Sequence, residues 1–129
     1  MTRFNFNSQI CTTREQSERL IALGLKKETA DMRRPHYNKY STWVIDKEEC
    51  LNEFWLPAWS LHRLIEMMPK KVDVPTKGSY YRVQYSNSIA YELGDYSIAK
   101  FVGENIYDTI IDCIEWLIKE GYFNKEYLV

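Results

Sequence analysis

The sequence predicts one α+β domain, in which a small antiparallel sheet of three or more strands packs against a long C-terminal helix, with N-terminal helices around them. The length of 129 residues is close to the commonest size of one domain, so residues 1–129 are assigned to a single domain. Two further observations predict the α+β class: a broad apolar helical face over residues 105–120, and three short segments of alternating apolar and polar residues directly before it.

The C-terminal helix is predicted from about Asn105 to Glu120. Its apolar residues share one arc of the helix: Ile106, Tyr107, Ile110, Ile111, Cys113, Ile114, Leu117 and Ile118. The opposite arc is polar and is formed by Asp108, Asp112, Glu115 and Lys119. A helix of this kind lies across a sheet and keeps its polar arc in water.

Three strands are predicted before this helix. Tyr81, Val83 and Tyr85 alternate with polar residues, and Ile89, Tyr91 and Leu93 do so after a turn at residues 86–88. The third strand covers Tyr96 to Val102, and the pattern does not assign its inward face. Residues 70–78 contain Pro75 and are predicted to form a loop.

Two shorter helices are predicted nearer the N-terminus. Thr12 and Glu15 have capping-box spacing before a helix that ends at Gly24. Residues 28–32 are predicted to add one further helical turn. Ser60 caps the second helix and Pro69 ends it, whereas residues 33–54 give no clear pattern.

Composition and charge limit the functional classes. The formal net charge of −1 provides no overall attraction to nucleic acid or to an anionic membrane. No apolar stretch approaches the roughly 20 residues of a membrane span, and residues 1–11 lack a signal-peptide core. The three widely separated cysteines fit a reducing compartment. A cytoplasmic protein without membrane contact is therefore expected.

The sequence contains no recognisable catalytic or metal-binding pattern. His36 and His62 lack metal-ligand partners at the usual spacings, and no nucleotide-binding or nucleophile-elbow motif occurs. Asp108 and Asp112 are one turn apart, but they belong to the polar arc, where water stabilises both charges. Cys50 lies beside two glutamates, which disfavour its thiolate. These observations predict a non-enzymatic protein without a cofactor.

Residues 33–43 combine basic and aromatic side chains. The candidates for contact with nucleic acid or a partner are Arg33, Arg34, Tyr37, Lys39, Tyr40 and Trp43. Cations follow phosphates while aromatic rings stack on bases, so the segment suits single-stranded nucleic acid. Lysines 26, 27, 70, 71 and 77 would extend this surface if the fold brings them together. The favoured alternative is a surface loop whose aromatic rings cover the core.

Trp116 is a further candidate for partner contact, because helical geometry places it outside the main apolar arc. The alternative, which the sequence favours, is packing against the N-terminal segment or against the C-terminal tail at residues 122–129.

Three stretches of the chain carry a resemblance: TREQSERL at 13–20, PAWSL at 57–61 together with residues 64–69, and EWLIKEGY at 115–122. They resemble a group of small uncharacterised bacterial proteins that are often carried by prophages or other mobile elements. The resemblance covers most of the chain and implies a bacterial cytoplasmic setting. It implies no reaction and no functional residues.

Two likenesses come from the predicted order of elements. Three strands followed by a helix are similar to HicB-type antitoxins, which neutralise a toxin partner. A preceding helix gives the order of double-stranded RNA-binding domains, whose last helix begins with a basic cluster. Here that position contains Glu104 and Asp108, which repel phosphate.

The leading functional hypothesis is a non-enzymatic accessory protein of bacterial or prophage origin that acts through protein–protein contacts, with itself or with another protein. The alternatives are nucleic-acid binding through residues 33–43 and a HicB-like antitoxin.

Overall fold

The computed structural model describes residues 9–35 and 55–129. Along these residues the helices are α1 (Arg14–Ala22), α2 (Leu61–Met67) and α3 (Ile106–Glu120). The strands are β1 (Met32–Pro35), β2 (Trp55–Ala58), β3 (Lys71–Val74), β4 (Gly78–Gln84), β5 (Ser88–Leu93) and β6 (Tyr96–Val102). β1 and β2 form one antiparallel sheet, and the other four strands form a second in the order β3-β4-β5-β6. The predicted α+β class is confirmed.

The helix α3 lies on β5 and β6, as the sequence predicts. Its residues Ile110, Ile114 and Leu117 are fully buried, and they belong to one core cluster with Ile89 and Tyr91 of β5. The burial of this apolar arc provides the main hydrophobic contribution that joins helix to sheet.

Both ends of α3 carry the predicted signals. The side chain of Asn105 accepts hydrogen bonds from the backbone N–H groups of Tyr107 (2.9 Å) and Asp108 (3.2 Å). Gly121 ends the helix at a φ of 79°, a left-handed conformation that glycine adopts without a steric penalty.

The N-cap of α1 is Thr13, one residue later than predicted. Thr13 and Gln16 form the capping box, in which each side chain accepts a hydrogen bond from the other's backbone N–H. Thr12 instead pairs with the hydroxyl of Ser17 and accepts from the backbone N–H of Trp59, so it joins α1 to the segment after β2. The helix ends as predicted, with a φ of 103° at Gly24.

The helix α2 also agrees with the sequence. The side chain of Ser60 accepts from the backbone N–H of Arg63, and the helix ends before Pro69. Leu64 and Met67 are buried in the core. The further turn predicted at residues 28–32 is a short 3-10 turn at Lys27–Thr29, because Met32 already belongs to β1.

The predicted loop at residues 70–78 is wrong for β3. Lys71–Val74 pairs with β4 along its length, and Pro75 lies in the turn between the two strands. An edge strand tolerates charged residues and a proline near its end. Because such residues interrupt the apolar alternation of the sequence, the strand could not be predicted from that pattern.

The C-terminal segment is attached to the domain. Phe123 is buried, the backbone N–H of Lys26 donates to the carbonyl oxygen of Tyr127 at 2.8 Å, and that of Val129 donates to Gly24 at 2.7 Å. The predicted tail therefore closes beside the end of α1.

Candidate functional site

The helices cover one face of the four-stranded sheet. Tyr80, Arg82 and Tyr91 point to this inner face: Arg82 donates to the carbonyl oxygens of Ile65 (3.0 Å) and Met68 (2.9 Å) at the end of α2, and Tyr80 and Tyr91 are buried. Strand alternation places the intervening residues on the opposite face.

We call that opposite side the outer face, and its residues include Lys71, Asp73, Tyr81, Val83, Tyr85, Ala90, Glu92, Lys100 and Val102. In the described part of the chain, no helix packs on it. Tyr81 and Val83 of β4 share one face with Tyr85, which directly follows the strand, as their spacing predicts, and Tyr81 and Tyr85 are exposed to solvent.

Most of the exposed large apolar side chains lie on or beside this sheet. Three of the seven in the described residues belong to the outer face: Tyr81 (54% exposed), Tyr85 (48%) and Val102 (61%). Leu93 (39%) and Tyr96 (76%) pair with each other at the turn between β5 and β6, and strand alternation places Leu93 on the same side as Tyr91. Single exposed apolar residues are ordinary, but a group of them on one surface marks an interaction site. The outer face is therefore the candidate functional site.

The charges on the outer face are balanced. Tyr85 lies between two of them: its hydroxyl is 3.5 Å from the Glu92 carboxylate, and the Lys100 ammonium is 5.8 Å from its ring centre. Lys71 lies 3.8 Å from Asp73 at the edge strand. Two cations against two anions give no net attraction to a polyanion.

Trp116 packs inside the molecule, against the sheet and the C-terminal segment. Its ring centre lies 6.0 Å from Tyr91, 6.3 Å from Phe101 and 5.6 Å from Tyr122. The side chain remains half-buried and lines a shallow, open groove of about 380 Å³. The other residues that line the groove are Arg19, Phe101, Asp112, Glu115 and Lys119.

The polar arc of α3 has a structural role beyond solvation. Arg19 of α1 donates to Asp112 at 2.6 Å and to Glu115 at 2.9 Å, and Gln16 donates to Asp108 at 2.8 Å. The hydrogen bond to Glu115 is the largest cause that raises the pKa of Arg19 above its ordinary value. The four residues of this arc are exposed, as predicted, and three of them also form polar contacts with α1, which the sequence did not predict.

The two candidate arginines lie on β1, and both contact the protein. The Arg33 guanidinium stacks over the Trp55 ring at 4.2 Å, and Arg34 donates to the carbonyl oxygen of Thr12 at 3.1 Å. Lys70 and Lys71 lie at the start of β3, in the other sheet. The remaining predicted contacts, Tyr37, Lys39, Tyr40 and Trp43, lie outside the described residues.

The two described cysteines, Cys11 and Cys113, are buried. Burial raises the pKa of the Cys11 thiol to about 11 and that of Cys113 to about 12, so both stay neutral at physiological pH. Within residues 9–35 and 55–129, no cluster of three metal-ligating side chains occurs. No helix in the same ranges is long and apolar enough to cross a membrane.

No family model, curated protein or solved structure matches this chain.

Sequence reasoning did not identify the outer face as a site. The alternation of Tyr81, Val83 and Tyr85 shows which residues share a face of β4, but it does not show which face the helices cover. The structure answers this through the burial of Tyr80 and through the hydrogen bonds of Arg82, whose partners at the end of α2 are 17 and 14 residues away in sequence.

Proposed function

We propose that this chain is a non-catalytic protein that acts by binding a protein partner through the outer face. The observation that carries the proposal is the outward position of Tyr81 and Tyr85 on a sheet whose other face holds the core. Tyrosine is common in protein interfaces, because its ring provides apolar contact while its hydroxyl still forms hydrogen bonds.

The chemistry of the outer face favours a protein over nucleic acid. Nucleic-acid surfaces depend on an excess of lysine and arginine that neutralises phosphates. On the outer face Glu92 lies close to Lys100 through their shared contacts with Tyr85, which reduces the attraction of that lysine for a phosphate. A neutral surface with an aromatic centre matches the centre of a protein interface.

The setting of this function is also part of the proposal. We place the protein in a reducing cytoplasm, because Cys11 and Cys113 are free and buried. The resemblance of residues 13–20, 57–61 with 64–69, and 115–122 supports an accessory role in a bacterium or prophage.

Site-specific photocrosslinking in cells that naturally encode the chain tests the proposal. Benzoylphenylalanine replaces Tyr81 in one variant and His62 in a matched control, because the His62 side chain is 89% exposed but lies on α2. We expect discrete protein adducts from position 81 and none of the same mass from position 62. A Tyr85→Ser change in the first variant should reduce these adducts at least about threefold, since it removes an adjacent contact residue.

Equal adducts at both positions would show that the outer face has no special role. Adducts that contain nucleic acid in place of protein would replace the proposal with the nucleic-acid hypothesis. Far-UV circular dichroism of each variant establishes that the fold is intact before the comparison is made.

A further inference from the structure

We infer that the partner bound by the outer face is a second copy of this chain, so that two sheets pack face to face in a symmetric dimer. The inference rests on the proposed protein-binding function and specifies its partner. In a dimer with a two-fold axis, the same surface must be complementary to itself. The charges and the strand register of the outer face meet this condition.

The register arranges the outer face in rows that cross the strands. One row contains Lys71, Tyr81 and Glu92, because Lys71 pairs with Tyr81 and Tyr81 pairs with Glu92. The next row contains Val83, Ala90 and Lys100. The acid of the first row and the base of the second therefore lie on neighbouring strands, β5 and β6.

A two-fold axis that runs across the strands between these rows exchanges them. Tyr81 of each copy then lies over Val83 of the other, which places apolar side chains at the centre. Lys100 of each copy lies over the row that contains Glu92 of the other, displaced by one strand spacing of about 4.8 Å. A lysine side chain spans that distance, so the dimer contains two equivalent Lys100–Glu92 pairs between copies.

The size of the outer face sets the expected affinity. The strands β3, β4, β5 and β6 contain 4, 7, 6 and 7 residues, so at a spacing of about 4.8 Å they form a flat area of roughly 19 by 20 Å. This area of roughly 400 Å² per partner is about half of the standard value of about 800 Å², so the dimer belongs to the class of small, transient interfaces. We therefore expect a dissociation constant on the order of micromolar, with monomer and dimer in exchange.

Sedimentation velocity over a concentration series, combined with two charge reversals, tests the inference. Lys100→Glu places an acid opposite Glu92 of the other copy, and Glu92→Lys places a base opposite Lys100. Each variant alone should dimerise at least about tenfold more weakly than the wild type, because like charges then face each other twice. An equimolar mixture of the two variants should regain the wild-type affinity, since every contact between unlike copies pairs opposite charges.

Lys125→Glu is the matched control, because it reverses an exposed charge in the C-terminal segment, away from the outer face. It should dimerise like the wild type. Recovery in the mixture also shows that the single variants are folded, since misfolded chains would not associate when mixed.

Two results overturn the inference: a wild type that stays monomeric at about 500 µM, well above the expected dissociation constant, or a mixture that fails to regain affinity. A monomer whose position 81 still crosslinks to other proteins refutes the second copy and leaves the proposed function standing. Loss of those crosslinks as well would refute both.

Discussion

Arg82 lies on the core-facing side of β4 and contacts the end of α2, and its replacement tests how much this contact stabilises the fold. The guanidinium group donates to the carbonyl oxygens of Ile65 and Met68 at 3.0 and 2.9 Å, where α2 ends. These carbonyls carry the negative end of the helix dipole, so a cation is favoured there. Arg82→Met keeps the aliphatic stem, removes the charge and leaves both oxygens without this donor.

The expected cost follows from the two hydrogen bonds. A hydrogen bond from a charged group contributes about 1.5–3 kcal/mol, but Arg82 is only partly buried and regains hydration in the unfolded chain. We therefore expect Arg82→Met to lower the free energy of unfolding by about 2 kcal/mol. Arg82→Lys, which keeps the charge but loses the fork of donors, should cost about 1 kcal/mol.

Urea unfolding followed by tryptophan fluorescence measures the effect, because Trp59 is fully buried. The matched control is Lys100→Met on the outer face, which should change the free energy of unfolding by less than about 0.5 kcal/mol. If Arg82→Met also stays within about 0.5 kcal/mol of the wild type, the role assigned to Arg82 is refuted.

Three further predictions concern the core, a helix cap and the buried thiols. Ile110→Ala removes a fully buried side chain from α3 and should cost about 3–4 kcal/mol in urea unfolding. Thr13→Ala removes half of the capping box of α1 and should cost about 1 kcal/mol; a stability equal to that of the wild type would contradict the assignment of this cap. Burial raises the pKa of Cys11 to about 11 and of Cys113 to about 12 from 9.0, so the unfolded chain loses these protons first. The contribution of each thiol to the free energy of unfolding is therefore complete below pH 9.0. Above that pH, the free energy of unfolding should fall by about 1 kcal/mol per pH unit for each of the two thiols. Urea midpoints of the wild type and Cys113→Ala between pH 8 and about 10.5 check this, and equal slopes for the two proteins would contradict it.

The helices could be predicted because their signals are local. Asn105, Gly121, Ser60 and Pro69 each act within one helical turn of their position. The apolar arc of α3 repeats over the whole helix, so one uncertain residue does not change its assignment. Such signals need no knowledge of the rest of the fold.

The sheet was harder to predict, because strand pairing joins distant residues. β1 pairs with β2 although 19 residues separate Pro35 from Trp55, so neither four-residue strand had a local partner to identify it. The charged residues of β3 interrupt apolar alternation. Likewise, the contacts between Arg19 and the acids of α3 join residues 93 and 96 positions apart, which no helical spacing could indicate.

The position of Arg82 links the stability of the fold to the chemistry of the candidate site. Once Arg82 points to α2, strand alternation forces residues 81 and 83 to the other face. Folding alone does not require aromatic residues on that face, because a polar side chain fits an exposed strand position as well as tyrosine does. The rings of Tyr81 and Tyr85 bury only about half of their surface within the chain, so they gain correspondingly little from folding. Burial against a partner would remove the rest of that apolar area from water and so provide the remaining hydrophobic free energy. For this reason the outer face, rather than the arginines of β1 or the groove at Trp116, is the surface whose composition is best explained by association.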